Sequence, residues 1–378
     1  MNDASRFLIV AANARSLIAN RGDLIRELQD RGIHVMATVP TRDWLPEVEQ
    51  LGIELHPVQM GRTGVNPVQD IRSTFSLLRL MRRLKPDVVF SYSAKPVIYG
   101  SLAARLARVP GVYAMITGLG HAYTTRSFRT RLIRLVMTRL YRIGLGCSDR
   151  VFFQNPDDLQ EFLDHRMLRD RSKVVRVNGS GIDLERFAPQ PLPEGPPVFL
   201  FIGRLLTEKG VAEFVQAAHA VAERWPEARF VAVGPHDPSL PHAVRVEDLE
   251  AWKRAGVVEL VGGVKDVRPW IAACSVFVLP SYREGTPRSV LEAMAVGRAI
   301  VTSDAPGCRE TVVPGENGLL VPPRESAPLA LAMERFLEEP ELIPRMAEAS
   351  RRLVEDKYDV RKVNAVILEA MGLADVGR

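Results

Sequence analysis

Two glutamates, Glu284 and Glu292, lie eight residues apart in Arg283-Glu-Gly-Thr-Pro-Arg-Ser-Val-Leu-Glu-Ala-Met-Ala-Val-Gly297, just after the apolar run Val276-Phe-Val-Leu-Pro280. Two carboxylates at short range first suggest a general acid and base. Pro287 changes that reading, because proline suits the first turn of a helix, which puts the helix start near Arg288. Glu284 then stands outside the helix, free to accept hydroxyls of a sugar type. Glu292, just over one turn in, can accept both hydroxyls of a ribose. Between them the unpaired N–H groups and positive dipole end of the helix suit an anion. A second loop has the same build: Phe199-Leu-Phe-Ile-Gly-Arg-Leu-Leu-Thr-Glu-Lys-Gly210 is an apolar strand entering Gly203, then Arg204 and Lys209. Arginine can fork two oxygens and lysine supplies a point charge, so the pair fits a diphosphate. In isolation the two cations read equally as solvated loop residues, and the two glutamates as surface carboxylates.

The elements that must position these groups alternate regularly. Apolar runs at Phe7–Ala11, His34–Val39 and Val88–Tyr92 are separated by helical patterns around Ala19–Arg31 and Ile71–Lys85, and Gly32 stops a helix directly before a strand. A second series runs Val198–Ile202, Arg229–Val233, Val258–Leu260, Val276–Leu279 and Ala299–Thr302. Such alternation predicts βαβ units on parallel sheets, hence an α/β chain with two doubly wound, Rossmann-like domains and a ligand cleft between them. At 378 residues two domains are the expected number. The turn-rich Asn178-Gly-Ser-Gly181 and the prolines from Pro189 to Pro197 mark the join, giving domains at 1–178 and 179–359.

What is absent from the sequence narrows the chemistry. Neither half has GxGxxG after its first strand, and no GxxxxGKS/T occurs, so a plain NAD dehydrogenase and a P-loop NTPase lack their phosphate signals. Cys147, Cys274 and Cys308 have neither CxxC nor zinc-ligand spacing, and no DxD motif sits in a suitable loop, so no metal is expected. The apolar run at the N-terminus is read as a first strand and no other segment reads as a membrane span, which predicts a soluble or surface-attached protein.

Several segments carry a family resemblance. GRLLTEKG, REGTPRSVLEAM and GENGLLVPP resemble the donor-binding domain of family 4 glycosyltransferases, the retaining GT-B enzymes with an EX7E motif. SAKPVIYGSLAARLARVP and TGLGHAYT resemble a bacterial subgroup that builds capsule, O-antigen and N-glycan precursors, including the polyprenyl-diphosphate-linked N-acetylgalactosaminyltransferases. The likeness covers nearly the whole chain, with the motifs in the family's order. It implies a GT-B fold with a deep interdomain cleft, and a C-terminal helix at 360–378 that crosses back onto the first domain. It implies that Gly203, Arg204 and Lys209 hold the donor diphosphate and Glu292 the ribose. Glu284, with the backbone of Gly285, Thr286 and Pro287, would hold the transferred sugar and distal phosphate, and the base would stack near Val264 and Lys265. Ser16, Arg21, Asn66, Lys95, Gly118, Gly120 and His121 would form the acceptor side. Two departures stand out: Ala12-Asn-Ala-Arg-Ser16 replaces a glycine-rich loop, and His121 follows Gly-Leu-Gly, either contacting the sugar and the incoming hydroxyl or serving as a structural histidine.

The implied activity is transfer of a sugar, a HexNAc by first choice, from a UDP-sugar to a polyprenyl-diphosphate-linked saccharide, with retention and without cofactor or metal. A GDP-mannose or other hexose transferase, and a UDP-sugar 2-epimerase of the same fold, remain as alternatives; a two-lobed sugar-binding protein would normally carry an export signal. Charge agrees with an anionic partner: residues 1–170 have 24 Lys and Arg against 16 Asp and Glu, leaving −3 for the rest of a chain at +5. No nucleic-acid-binding signature accompanies it. The segment Arg126–Arg142 reads either as a packing helix, with Arg131, Arg134 and Arg142 on its solvated side and Arg139 in the apolar arc, or as a dock for anionic lipid. The second reading implies a cytoplasmic protein attached to the inner face of the cell membrane.

Overall fold

The computed structural model describes residues 5–40, 45–61, 66–118 and 128–376, with side chains left undescribed at 45–46 and 128–133. It divides into two compact units, Met1–Ser180 with Val363–Arg378, and Gly181–Lys362.

In the first unit the described strands are β1 (Arg6–Val10), β2 (His34–Thr38), β3 (Glu54–Leu55), β4 (Val88–Tyr92), β5 (Gly111–Ile116), β6 (Arg150–Phe153) and β7 (Val174–Arg176). They form one parallel sheet in the order β3-β2-β1-β4-β5-β6-β7. Helices α1 (Ala14–Asp30), α2 (Leu45–Glu49), α3 (Pro67–Leu84), α4 (Ser101–Leu106), α5 (Phe128–Gly146) and α6 (Pro156–Asp164) connect them, with a π-helical turn at Pro96–Gly100 leading into α4. Alternate strand residues face opposite cores, as a period of two requires. Leu8, Val10 and Val89 pack with α3, the π turn, α4 and α5, whereas Phe7, Ile9 and Phe90 pack with α1.

In the second unit β8 (Val198–Ile202), β9 (Arg229–Val233), β10 (Val258–Gly262), β11 (Val276–Leu279), β12 (Ala299–Ser303) and β13 (Gly318–Val321) form a parallel sheet ordered β10-β9-β8-β11-β12-β13. Its helices are α7 (Val211–Arg224), α8 (Val246–Ala255), α9 (Arg268–Ala272), α10 (Arg288–Val296), α11 (Ser326–Glu338) and α12 (Leu342–Lys357). The last helix, α13 (Val360–Ala370), buries Val363, Ile367 and Leu368 in the core that holds α1, and the Tyr113 hydroxyl donates to the Met371 carbonyl at 3.0 Å.

Both sheets therefore reverse their winding once, between β1 and β4 and between β8 and β11. In open α/β sheets the loops leaving the carboxyl ends of such a strand pair diverge and open a ligand crevice. Strands β8, β9 and β11 have the bounds expected from the apolar runs. Helices α1 and α3 begin several residues earlier than their apolar periodicity implies. Asn13 and Asn66 cap them through their side-chain oxygens, and Pro67 occupies the first turn of α3.

Helix α5 also turns differently from expectation. Its packed side carries Tyr141, Gly144 and Leu145, because a Cβ on Gly144 would stand 2.8 Å from the Ile98 Cα in the π turn. Only glycine allows that approach, and it fixes the helix rotation. Arg139 consequently lies in an apolar arc with Leu135, Val136 and Ile143, as the wheel gives, but that arc is exposed, whereas Arg142, expected on the solvated side, is half-buried and donates to the Arg166 carbonyl at 2.8 Å. Arg126, Arg129 and Arg131 have no described side chains.

Candidate active site

The donor-side candidates all lie in the second unit, on loops that leave carboxyl ends of its strands or, for Glu292, in the helix that follows such a loop. Strand β8 enters Gly203 and the exposed Arg204, then a single 3-10 turn, Thr207–Lys209, before α7. Gly210 makes this route possible: its φ is +73°, and a Cβ there would lie 2.1 Å from the Pro280 carbonyl oxygen just past β11. The two loops are thus held backbone to backbone, with the Tyr282 N–H donating to the Glu208 carbonyl at 2.8 Å.

That seam brings Lys209 against Glu284. The lysine Nζ donates to Glu284 Oε1, and the Ser281 hydroxyl reaches the same oxygen at 2.8 Å. Both partners are mostly buried, with side chains 20% and 14% exposed, so little solvent screens the pair. The carboxylate fixes the ammonium at the mouth of the strand pair, where an entering phosphate would meet a positioned charge. Gly285 is buried and Thr286 half-buried, and Pro287 precedes α10 in extended conformation. Among the described residues no side chain caps α10. The helix begins at Arg288, as Pro287 led the sequence to imply, which leaves its first N–H groups as the candidate anion contact.

Glu292 sits one turn into α10 with its side chain 12% exposed, paired to Arg288 Nε at 3.0 Å. Burial raises its carboxyl above the ordinary carboxylate value, opposed first by Arg288 and more weakly by Arg186. The folded protein then keeps this proton to higher pH than the unfolded chain does. The group's stabilising contribution is full below the unfolded value and declines as pH rises through the raised folded one. Glu292→Gln should therefore melt higher than wild type at neutral pH and converge with it toward pH 4. Its affinity for UDP should fall about ten- to hundredfold, the loss of hydrogen bonds to a charged acceptor. Calorimetry of the two proteins with UDP measures both effects, and equal affinities would remove Glu292 from ribose binding.

Val264 and Lys265 follow β10. Val264 packs on the core, Lys265 is exposed, and the neighbouring Asp266 is close enough for its charge to act on Glu292. Sequence reasoning missed Ser281, Arg186 and the role of Arg288. The i,i+4 spacing of Arg288 and Glu292 on one helix face was the available signal for the last. Nothing local signals Ser281 or Arg186.

The described acceptor-side candidates fall into two groups in the first unit. Ser16 and Arg21 meet around Tyr92, at the end of β4: the Ser16 hydroxyl lies 2.9 Å from the Tyr92 hydroxyl, and the buried Arg21 guanidinium stands 5.0 Å over the Tyr92 ring and 5.6 Å over Phe90. Burial pushes the Tyr92 phenol up to about 12, with the Ser16 bond and Arg21 opposing. Ser93, next along, has a left-handed φ of +74°, a strained conformation of the kind that clusters at functional sites. The second group gathers at the start of α3. Lys95 Nζ donates to the buried Asp70 at 2.8 Å, Tyr99 donates to the other oxygen of that carboxylate at 2.9 Å, and Asn66 caps the helix. Asn66 alone among the candidates lines a groove of about 1160 Å³ along α3. Gly118 is described, with φ +119°, whereas Gly120 and His121 lie outside the described residues.

Comparison with known proteins bears on the family of the chain. Residues 196–339 match the family model described as glycosyl transferases group 1, and residues 20–178 match that of a glycosyl transferase 4-like domain. The chain is 30% identical over 341 residues to N,N'-diacetylbacillosaminyl-diphospho-undecaprenol alpha-1,3-N-acetylgalactosaminyltransferase of Campylobacter jejuni, covering 87% of this chain and 88% of that one. It is 28% identical over 319 residues to UDP-Gal:alpha-D-GlcNAc-diphosphoundecaprenol alpha-1,3-galactosyltransferase of Escherichia coli, covering 80% of each. Among solved structures, Anabaena HepE in complex with UDP-glucose superposes with a TM-score of 0.78 at 17% identity, over 97% of this chain and 99% of that one, a likeness of fold. With two Rossmann-like units, a cation–carboxylate pair where one sheet reverses and these relatives along most of its length, the chain belongs to the family 4 glycosyltransferases of the GT-B fold.

Proposed function

We propose that this glycosyltransferase moves a sugar, a HexNAc by first choice, from a UDP-linked donor to a polyprenyl-diphosphate-linked saccharide, with retention at the anomeric carbon. The observation that carries the donor half is the Lys209–Glu284 pair beside α10, with Glu292 and Arg288 one turn further on. Lys209, Arg204 and the helix end would receive the diphosphate, Glu284 the sugar and Glu292 the ribose. The acceptor hydroxyl attacks the anomeric carbon from the face of the departing diphosphate. The new C–O bond forms as the old one breaks, and a diphosphate oxygen takes the acceptor's proton. Negative charge grows on that diphosphate, and preorganised cations stabilise it where water is excluded. With that role taken by Lys209 and Arg204, no metal is needed, so chelator should leave turnover unchanged. The acceptor half rests on the names of the relatives, two of which act on undecaprenyl-diphosphate-linked sugars.

No described helix is long and apolar enough to cross a membrane. We place the protein on the inner face of the cell membrane, in the synthesis of a surface polysaccharide or glycan, drawn there in part by the basic segment 126–142.

A thermal-shift panel tests the donor, since a ligand of the folded state raises its melting temperature by mass action. UDP and UDP-HexNAc should stabilise and GDP should not, whereas stabilisation by GDP alone would replace the donor. Incubation with UDP-HexNAc in the presence and absence of a polyprenyl-diphosphate-linked sugar tests transfer. Epimerised donor formed without acceptor would overturn it.

A further inference from the structure

We propose that the helical layer formed by α3, α4 and α5 is a docking face for an anionic lipid bilayer, centred on the exposed stripe of α3. Three observations converge on it. From Ile71 to Ser148 the sequence holds fourteen lysines and arginines and a single acid, Asp87, in a chain whose net charge is only +5. Within this stretch and the first turn of α3 lie seven of the eleven strongly exposed large apolar residues described: Val68, Ile71 and Phe75 on α3, Leu106 on α4, and Leu135, Val136 and Ile143 on α5. These helices pack against one another and the π turn over one face of the sheet.

The stripe on α3 is the sharpest part. At 100° per residue Val68, Ile71, Arg72, Phe75, Arg79, Arg82 and Arg83 fall within roughly 120° of one another. Phe75 is 66% exposed, Val68 60% and Ile71 57%, values far from those of a packed helix seam. Among the described residues no carboxylate pairs with Arg72, Arg79, Arg82 or Arg83, whereas the Arg105 charge is matched by Asp149. Asp70, the one acid of α3, is buried and spent on Lys95 and Tyr99. Apolar side chains ringed by unpaired arginines match the headgroup boundary of an anionic membrane. The rings and branched chains enter the acyl edge, and the guanidinium groups stay among phosphates on flexible stems. A protein partner would need matching acids and a shaped apolar cavity, while a bilayer supplies fluid phosphate over the whole face.

The inference deepens the reading of a lipid-linked acceptor, because a face held on the bilayer would keep the acceptor side near the membrane surface. The two can fail separately. Sedimentation of the full chain with vesicles of phosphatidylcholine alone, and of phosphatidylcholine with phosphatidylglycerol in equal parts, is the test. Wild type should bind the anionic vesicles and not the neutral ones. The triple variant Phe75→Ser, Arg79→Glu, Arg82→Glu should lose at least about tenfold of that binding, the size expected for reversing two surface cations. It should keep its stabilisation by UDP and its transfer to a short-chain, water-soluble acceptor. Equal binding of wild type to both vesicle types overturns the docking face. So does unchanged binding of the triple variant, or loss of binding on Arg139→Glu alone while the triple variant still binds, which would move the contact to α5. Anionic binding as expected with no transfer to any polyprenyl-linked acceptor would overturn the acceptor reading and leave the docking face standing.

Discussion

Lys209→Ala is expected to lower turnover about 100- to 1000-fold, the loss that follows removal of one preorganised charge from a water-poor site. The effect should fall on kcat more than on KM, because the attraction strengthens as the diphosphate departs with its charge. The geometry gives the variant a second signature. Lys209 and Glu284 are partners in the free protein, so removing the lysine takes the cation from a mostly buried carboxylate that keeps the Ser281 hydroxyl. Adding Glu284→Gln to Lys209→Ala should then cost much less than the sum of the single losses, because the pair acts as a unit. Steady-state rates for the two single variants and the double variant measure this. Wild-type turnover in Lys209→Ala would remove the residue from diphosphate stabilisation, and additive losses would separate it from Glu284.

Arg298→Met is expected to give the largest loss of stability in the second unit, about 3–5 kcal/mol, the range for breaking a buried charged network. Arg298 is wholly buried, yet its guanidinium donates to five carbonyls: Ile271 at 2.9 Å, Ala272 at 2.8 Å, Gln190 at 2.9 Å, Pro191 at 2.9 Å and Gly297 at 2.9 Å. Ile271 and Ala272 end α9 and Gly297 follows α10, so one cation covers the negative ends of two helices and fastens the connection ahead of β8. Methionine fills similar space but leaves those carbonyls without a donor. A melting temperature lower by on the order of 10 °C should result. A shift below about 2 °C would show that water or rearranged backbone replaces the guanidinium. Since α10 carries Glu292, UDP should recover part of the lost stability, which a calorimetric scan with ligand would reveal.

How much was legible in the sequence depended on whether the signal was local. Strands β8 and β11 of the second unit are continuous apolar runs closed by Gly203 and Pro280, the pattern that burial on both faces favours, and it survives without any tertiary information. The start of α10 followed from Pro287, and the two charged loops from their positions directly after strands. The ends of α1 and α3 were legible through Asn13 and Asn66, but apolar periodicity hid them because their first turns are only partly buried. Arg139 does lie in an apolar arc of α5, but a helical wheel could not tell that this arc is exposed, because it has no knowledge of which face a neighbour takes. The approach of Gly144 to Ile98 decides that.

The sequence by itself determined the element types, the two-sheet class and the residue kinds able to meet a nucleotide sugar, because each depends on spacing within about a dozen residues. Tertiary structure alone decided their partners. Lys209 and Glu284 are separated by 75 residues and meet because β8 and β11 are neighbours where the winding reverses. Ser16 meets Tyr92 across 76 residues by the same device at β1 and β4. The order of strands in a sheet is set by packing of whole helices on both faces, and no short window of sequence encodes it.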